Sequence, residues 1–318
     1  LNILFITANR LGDAVLSTGI LGALIDRYPA SRITVACGAM AASLFTPIPH
    51  VVRVIAMTKQ PYHGHWRKLW RETVDTRWDL VVDLRNTLVS RLLRRTKLIV
   101  FHGPKPRQHM VEGLAALLDI EPSRAAPRIW LDALSIERVA DDKPAGPLLA
   151  MAPGANTAGK RWPSERYAAL ARKLLSPDGL FADSTLVLLG SADERSVVQP
   201  ILDAIPAERI IDLVGGTDPL LAAAWLTAAD FYIGNDSGLT HLAAAAGAPT
   251  LALFGPGIPI RYRPWGVSAA YLIANDDPDR TVDLCKISHA AAVAEMEKLS
   301  VEDVCRAVEV LYKRVVEL

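Results

Sequence analysis

Short apolar runs alternate with polar stretches of helical period along almost the whole chain. In the first half, Ile3–Thr7, Arg32–Cys37, Val51–Ala56, Asp79–Asp83 and Lys97–Phe101 are rich in Val, Ile and Leu and predict strands. Between them the spacing predicts a helix over Asp13–Arg27, stopped by Pro29, and helices at about residues 64–75, 86–95 and 108–119. Asp141-Asp-Lys-Pro-Ala-Gly-Pro147, charged and then rich in Pro and Gly, reads as a linker. The alternation then restarts, with strands at Leu148–Ala152, Thr185–Gly190, Ile210–Leu213, Ala229–Ile233 and Thr250–Phe254. Helices are expected over Ser164–Leu175, Asp193–Ala204 and Pro219–Ala228, in the Ala-rich run ended by Gly247 and Pro249, and twice within residues 288–317.

Strands that are apolar throughout belong to parallel sheets covered on both faces. The expected fold is therefore α/β, with two Rossmann-like, doubly wound parallel-sheet domains over residues 1–145 and 146–318. Two such domains in tandem would enclose a cleft faced by the C-terminal ends of their strands.

Composition narrows the class. A chain of 318 residues can hold two cores, and 51% hydrophobic content with 22% charge excludes a disordered or fibrous chain. Gly238–Phe254 lacks charged side chains but contains His241, Gly247 and Pro249, so it reads as two buried elements, not as a span of ~20 apolar residues. Asn2–Thr7 is too short for a secretory segment, so the expected location is cytoplasmic, at most peripheral on a membrane. Cys37, Cys285 and Cys305 form no CxxC and leave one thiol over, which fits a reducing compartment and buried thiols. No HExxH, His/Cys cluster or DxD-like pair suggests a metal site.

Three turns carry candidate chemistry. Gly234-Asn-Asp-Ser-Gly-Leu-Thr-His241 is a polar turn opening a helix, where free N–H groups and the helix dipole favour a phosphate. Ala152–Pro163 sets Lys160 and Arg161 among glycines, which is either a charged surface loop or a diphosphate cradle without the Walker spacing. Thr7–Asp13 lacks GxGxxG and places Gly12 and Asp13 where the first helix starts. Asp13 is there either as an N-cap or as a general base.

These residues resemble the ADP-heptose:lipopolysaccharide heptosyltransferases of glycosyltransferase family 9. The match is carried by Arg10-Leu-Gly-Asp13, by Pro153-Gly-Ala155 with Lys160-Arg-Trp-Pro163, and by Gly234–His241 with Phe254-Gly-Pro256. The resemblance implies a GT-B fold with the donor held mainly by the second domain, and inversion at the sugar carbon without a required metal or cofactor. It also implies that Asp13 takes the acceptor proton and that Lys160 stabilises the ADP leaving group. Asp236, Ser237, Gly238 and His241 would line the donor site, with Asp236 better suited to a sugar hydroxyl or a structural bond than to a phosphate. Gly12, Gly154, Ala155, Asn156 and Arg161 complete the expected donor contacts. Glu194 is either a ribose partner or a first-turn helix acid.

Charge then separates the halves. Residues 1–147 hold 20 Lys/Arg against 13 Asp/Glu, and residues 148–318 hold 15 against 21. Between Arg85 and Arg107 there are seven basic residues and no acid, and Tyr62–Arg71 interleaves cations with aromatics. This is either a solvated face or a surface for an anionic lipid-linked glycan acceptor at the inner membrane, with Arg10, Arg85, Arg91, Arg94, Arg95 and Arg107 as contacts. Nucleic acid is not expected, because the net charge is +1 and no recognition motif occurs. Thr281–His289 holds one cysteine where family members often carry a cysteine-containing segment, so residues 257–289 depart from the family pattern. The same mechanism with another donor or acceptor, and an inactive nucleotide-sugar-binding protein, are the alternatives.

Overall fold

The computed structural model describes residues 1–274 and 288–317. They form two compact units, Leu1–Ala133 with Asp218–Leu220, and Leu134–Thr217 with Leu221–Leu318.

The first unit runs β1 (Asn2–Ile6), α1 (Leu11–Arg27), β2 (Arg32–Gly38), β3 (Val51–Met57), α2 (Gly64–Thr73), β4 (Trp78–Asp83), α3 (Leu88–Leu92), β5 (Arg95–Val100) and α4 (Met110–Leu117). Its five strands lie in the order β3-β2-β1-β4-β5, all parallel. β1, β2 and β4 are buried almost end to end, as their unbroken apolar sequences require. The outer strands instead carry Arg53 on β3 and Arg95 and Lys97 on β5, charges that blunt a sheet edge.

The second unit begins with α5 (Ala133–Asp142) and β6 (Leu148–Ala152), followed by α6 (Ser164–Leu174), β7 (Thr185–Leu188), α7 (Arg195–Leu202) and β8 (Ile210–Asp212). It continues through α8 (Pro219–Thr227), β9 (Phe231–Asn235), α9 (Gly238–Ala246), β10 (Thr250–Phe254), α10 (Pro259–Tyr262), β11 (Ala269–Ile273), α11 (His289–Met296) and α12 (Val301–Val316). The sheet order is β11-β10-β9-β6-β7-β8, again parallel. Its core gathers Trp162, Tyr167, Phe231, Leu251 and Leu253 with Met296, Val304 and Val308 of the closing helices. Both sheets reverse strand order at one point, between β1 and β4 and between β6 and β9. Ligands of such sheets bind beyond the strand ends at that reversal.

Several local readings change. α1 starts at Leu11 with Arg10 in the cap position, so Asp13 sits inside the first turn and is not the N-cap. The helix expected at 86–95 shrinks to α3, because Leu93 is extended and β5 begins at Arg95. β9 runs through Asn235, leaving only Asp236 and Ser237 between strand and helix. β11 is an unexpected sixth strand, held by backbone pairing to β10.

Candidate functional site

In the second unit, the chain leaving β6 and the chain leaving β9 meet at the strand-order reversal. Asn235, fully buried at the end of β9, fastens the two together. Its Nδ2 donates to Pro153 O at 2.7 Å, while its Oδ1 accepts from Trp162 N and Tyr167 OH, both at 3.1 Å. Thr240 Oγ1 donates to Asn235 O at 2.5 Å and lies 3.1 Å from Tyr232 OH, which fixes where α9 begins. Trp162 is itself buried edge-on against Tyr167 and donates through Nε1 to Leu299 O. The loop Pro153–Trp162 is therefore anchored at both ends while Lys160 and Arg161 project from it.

Lys160 Nζ donates to Asp236 Oδ2 at 2.5 Å, with the carboxylate almost wholly buried and the ammonium partly open. A Cβ on Gly257 would lie 2.6 Å from that same Oδ2, so the Phe254–Gly257 turn closes over Asp236 only because residue 257 has no side chain. His241 lies one turn along α9 and is buried. Burial pushes its imidazole down to about 4, with Asp236 opposing and Lys160 adding to the shift. It is therefore neutral at pH 7, and its Nδ1 is buried with no hydrogen-bond partner among the described residues.

Ser237 takes the cap position of α9 without a side-chain bond to a backbone N–H of the helix, its hydroxyl lying 3.5 Å from Thr240 Oγ1, and Gly238 is the first helical residue. The first turn of any helix leaves N–H groups unbonded. Those of α9 open beside the Lys160–Asp236 pair, a setting suited to an anion. Arg161 Nε donates to Ala155 O at 2.9 Å, which ties its guanidinium to its own loop. Asn156 is exposed on that loop.

Glu194 is nearly buried as the third residue of a capping box, its Oε2 accepting from Ser191 N at 2.9 Å. A Cβ on Gly154 would fall 2.1–2.4 Å from the Glu194 carboxylate, so the loops after β6 and β7 touch through that glycine. Ala155 is buried beside it.

In the first unit, Asp13 and Arg85 are brought together from the segments after β1 and β4. Arg85 is half-buried; burial lowers its pKa, and Asp83 and Asp13 oppose that shift. Buried Asp83 shapes the second segment by accepting from Arg85 N at 2.8 Å, Thr87 N at 2.7 Å and Thr87 Oγ1 at 2.8 Å. The Arg85 guanidinium stacks 5.1 Å from the Trp66 ring centroid, and its Nη1 is buried with no hydrogen-bond partner among the described residues. Gly12 is partly buried beside Asp13, whereas Arg10 is exposed.

The remaining cations are dispersed. Arg91 donates to Thr87 O and Asn86 Oδ1, and Arg95 donates to Arg91 O and Leu93 O, so both are held by neighbouring chain. Arg94 and Arg107 are exposed. Asn235 and Asp83 are the organising residues that the sequence reading left without a role. Each has the same signal, a buried-type polar residue ending an apolar strand just before a turn.

Cys37 and Cys305 are buried free thiols, and burial pushes Cys37 up to about 12. Cys285 and most of the Thr281–His289 segment lie outside the described residues. Among the described residues, no three His, Cys, Asp or Glu side chains converge as metal ligands, and no helix is long and apolar enough to cross a membrane.

Comparison with known proteins places this geometry in a family. Lipopolysaccharide heptosyltransferase 2 of Salmonella typhimurium strain LT2 is 29% identical over 308 residues, covering 81% of this chain and 84% of that protein. The solved structure of Escherichia coli ADP-heptose lipopolysaccharide heptosyltransferase II is 25% identical and superposes with a TM-score of 0.75 over 99% of both chains. A glycosyltransferase family 9 structure from Veillonella parvula DSM 2008 shares the fold at 22% identity, with a TM-score of 0.83 over 98% of this chain and 97% of that one. Two Rossmann-like sheets in one chain are the building blocks of the GT-B class, and the protein is a glycosyltransferase of that class. The family model matches residues 102–289, more than half of the sequence, and the chain belongs to glycosyltransferase family 9 (heptosyltransferase).

Proposed function

We propose that this protein transfers a heptosyl group from ADP-heptose to a hydroxyl of an anionic, lipid-linked inner-core glycan, with inversion and without a metal ion. The observation that carries the reading is the Lys160–Asp236 pair set beside the open first turn of α9. The relatives named for heptose transfer to lipopolysaccharide support the donor and the acceptor class.

In this reading the diphosphate lies on the N–H groups of Ser237, Gly238 and their neighbours, with Lys160 and Arg161 as counter-charges. An ammonium has three N–H donors, and Asp236 takes one. Asp236 thus aims Lys160 while the other donors meet the ADP oxygens, so the carboxylate itself need not face the phosphates. Asp13 accepts the proton of the acceptor hydroxyl as its oxygen bonds to the anomeric carbon. The bond from that carbon to the phosphate oxygen breaks, and Lys160 stabilises the charge that ADP carries away. Arg85, beside Asp13, suits a phosphate or carboxylate of the acceptor. The work is placed on the cytoplasmic face of the inner membrane, where a lipid-linked acceptor would be presented.

The test is a thermal-shift panel of ADP-, UDP-, GDP- and CMP-linked sugars, followed by an ADP-release assay with a purified inner-core acceptor, with and without EDTA. Selective stabilisation by ADP-heptose and EDTA-resistant turnover are expected. A response to another nucleotide sugar alone would replace the donor, and no response to any would favour a binding-incompetent scaffold. Loss of turnover in EDTA would remove the metal-free mechanism.

A further inference from the structure

α11 backs both loops that carry the Lys160–Asp236 pair, and it does so with one face. Ala292 and Met296 are four residues apart on this helix, and both are buried. Ala292 meets Gly159, the residue before Lys160, in the short 3-10 turn Ala158–Lys160. A Cβ on Gly159 would lie 2.6 Å from Ala292 Cβ, closer than carbon atoms pack. Met296 meets Gly255, where a Cβ would lie 2.8 Å from Met296 Cγ. Gly255 belongs to the Phe254–Gly257 turn, which closes over Asp236 through Gly257.

The helix is itself fixed. Ser288 caps its start by accepting from Ala291 N. Beyond its end, Leu299 O accepts from Trp162 Nε1 and Arg166 Nη1, and Glu297 O also accepts from Arg166 Nη1. Met296 and Leu299 lie in the core of the second unit with Trp162 and Tyr167. On the other side of the contact, Asn156, Thr157 and Ala158 of the loop are exposed. A group added between the two therefore displaces the loop before it displaces the helix. Asn235 holds that loop near its two ends, and Gly159 is a point between them that rests on α11.

We infer that α11 is the positioning element of the donor site, with Ala292 acting through Gly159 to set where Lys160 stands. The inference rests on the reading that Lys160 meets the donor diphosphate. In that reading Lys160 keeps one N–H on Asp236 and turns the others to the phosphates, which tolerates little displacement. Bringing a Cβ at position 159 to an ordinary carbon–carbon separation needs a shift of roughly 1 Å. Misplacement of that size costs up to about 100-fold in rate.

The test moves one methyl group from the helix to the loop. Gly159→Ala should lower kcat at saturating donor by about tenfold or more, with the circular dichroism of the wild-type chain. Gly159→Ala with Ala292→Gly should recover most of that loss, because the nearest Ala292 backbone atoms would then be 3.8 Å from the new Cβ. A role in folding alone would lower melting and leave the kcat of the folded fraction unchanged. If Gly159→Ala does not fold, Ala292→Val adds bulk from the helix side and should lower kcat in the same way.

A second measurement needs no ligand. The coupling between Lys160→Met and Asp236→Asn, read by urea unfolding, should shrink in the Gly159→Ala background and return with Ala292→Gly. Wild-type kcat in Gly159→Ala, no recovery in the paired variant, or an unaltered coupling overturns the inference. A wild-type chain that binds no ADP-linked sugar overturns the donor reading instead, and the coupling then decides the placement of Lys160 by itself.

Discussion

Lys160 Nζ lies 2.5 Å from Asp236 Oδ2, joining the loop after β6 to the turn after β9 at the strand-order reversal of the second sheet. Lys160, the lysine proposed to meet the donor phosphates, is thus held in place by a carboxylate that is itself almost buried. Removing either partner leaves the other desolvated without its counter-charge. Because Lys160 keeps some solvent access, Lys160→Met should destabilise the fold by roughly 1–3 kcal/mol, below the cost of breaking a fully buried pair. A double-mutant cycle of Lys160→Met with Asp236→Asn, read by urea unfolding, should give a coupling of about 1 kcal/mol or more. Additive effects would show that the pair contributes nothing to stability. In the transfer reaction, Lys160→Met should weaken donor binding and slow turnover; unchanged kinetics would exclude its phosphate role.

Asp13→Asn keeps the shape of the first turn of α1 and removes a base. Turnover should fall by at least ~100-fold while ADP-sugar affinity is retained. The same change removes a favourable acid from a helix start, worth about 0.5 kcal/mol, so melting should drop only slightly. Turnover near the wild-type rate would remove Asp13 as the proton acceptor.

His241 supplies a pH dependence with a definite sign. Burial pushes its folded imidazole down to about 4, against an ordinary value of 6.5 in the unfolded chain. Between those values the unfolded state binds the extra proton, so stability is full above pH 6.5 and falls as pH drops toward 4. The loss attributable to this residue is up to roughly 3 kcal/mol. Urea unfolding at several pH values should show a flatter profile for His241→Gln than for the wild-type chain over that window. Parallel profiles would mean that His241 is not held neutral by burial.

Asn235→Asp is nearly isosteric but sets a carboxylate oxygen against Pro153 O, where Nδ2 now donates. A cost of about 2 kcal/mol or more is expected from the lost bond and the buried charge. Hydrogen exchange should quicken across Pro153–Trp162 more than in the first unit. Uniform exchange across the chain would show that Asn235 does not anchor that loop.

The alternation of apolar runs was enough to place ten of the eleven strands among the described residues, because a strand buried on both faces has few alternatives to Val, Ile and Leu. Ala269–Ile273 escaped notice because its place depends on backbone pairing with β10, which a short alanine-containing run does not announce. Helix starts were less legible. Asp13 has the composition of a cap, but the chain enters helix earlier, at Leu11, and Arg10 takes the cap position. The six sites named as acceptor arginines show the same limit. Composition gives the cations, but only the fold shows Arg85 half-buried and stacked on Trp66 while Arg91 and Arg95 bond to the chain around them.

The sequence by itself determined the two α/β halves, the family and the turn from Gly234 to His241 on which the donor reading rests, because local periodicity and motif spacing are properties of adjacent residues. Tertiary structure alone decided what those residues do to one another. Asp236 is a partner of Lys160, 76 positions away, and Asn235 is the fastener of Pro153 and Trp162. Glu194 fills the space that Gly154 leaves. Such relationships follow from which strand ends a sheet brings together, and a parallel sheet brings together residues that the chain itself keeps far apart.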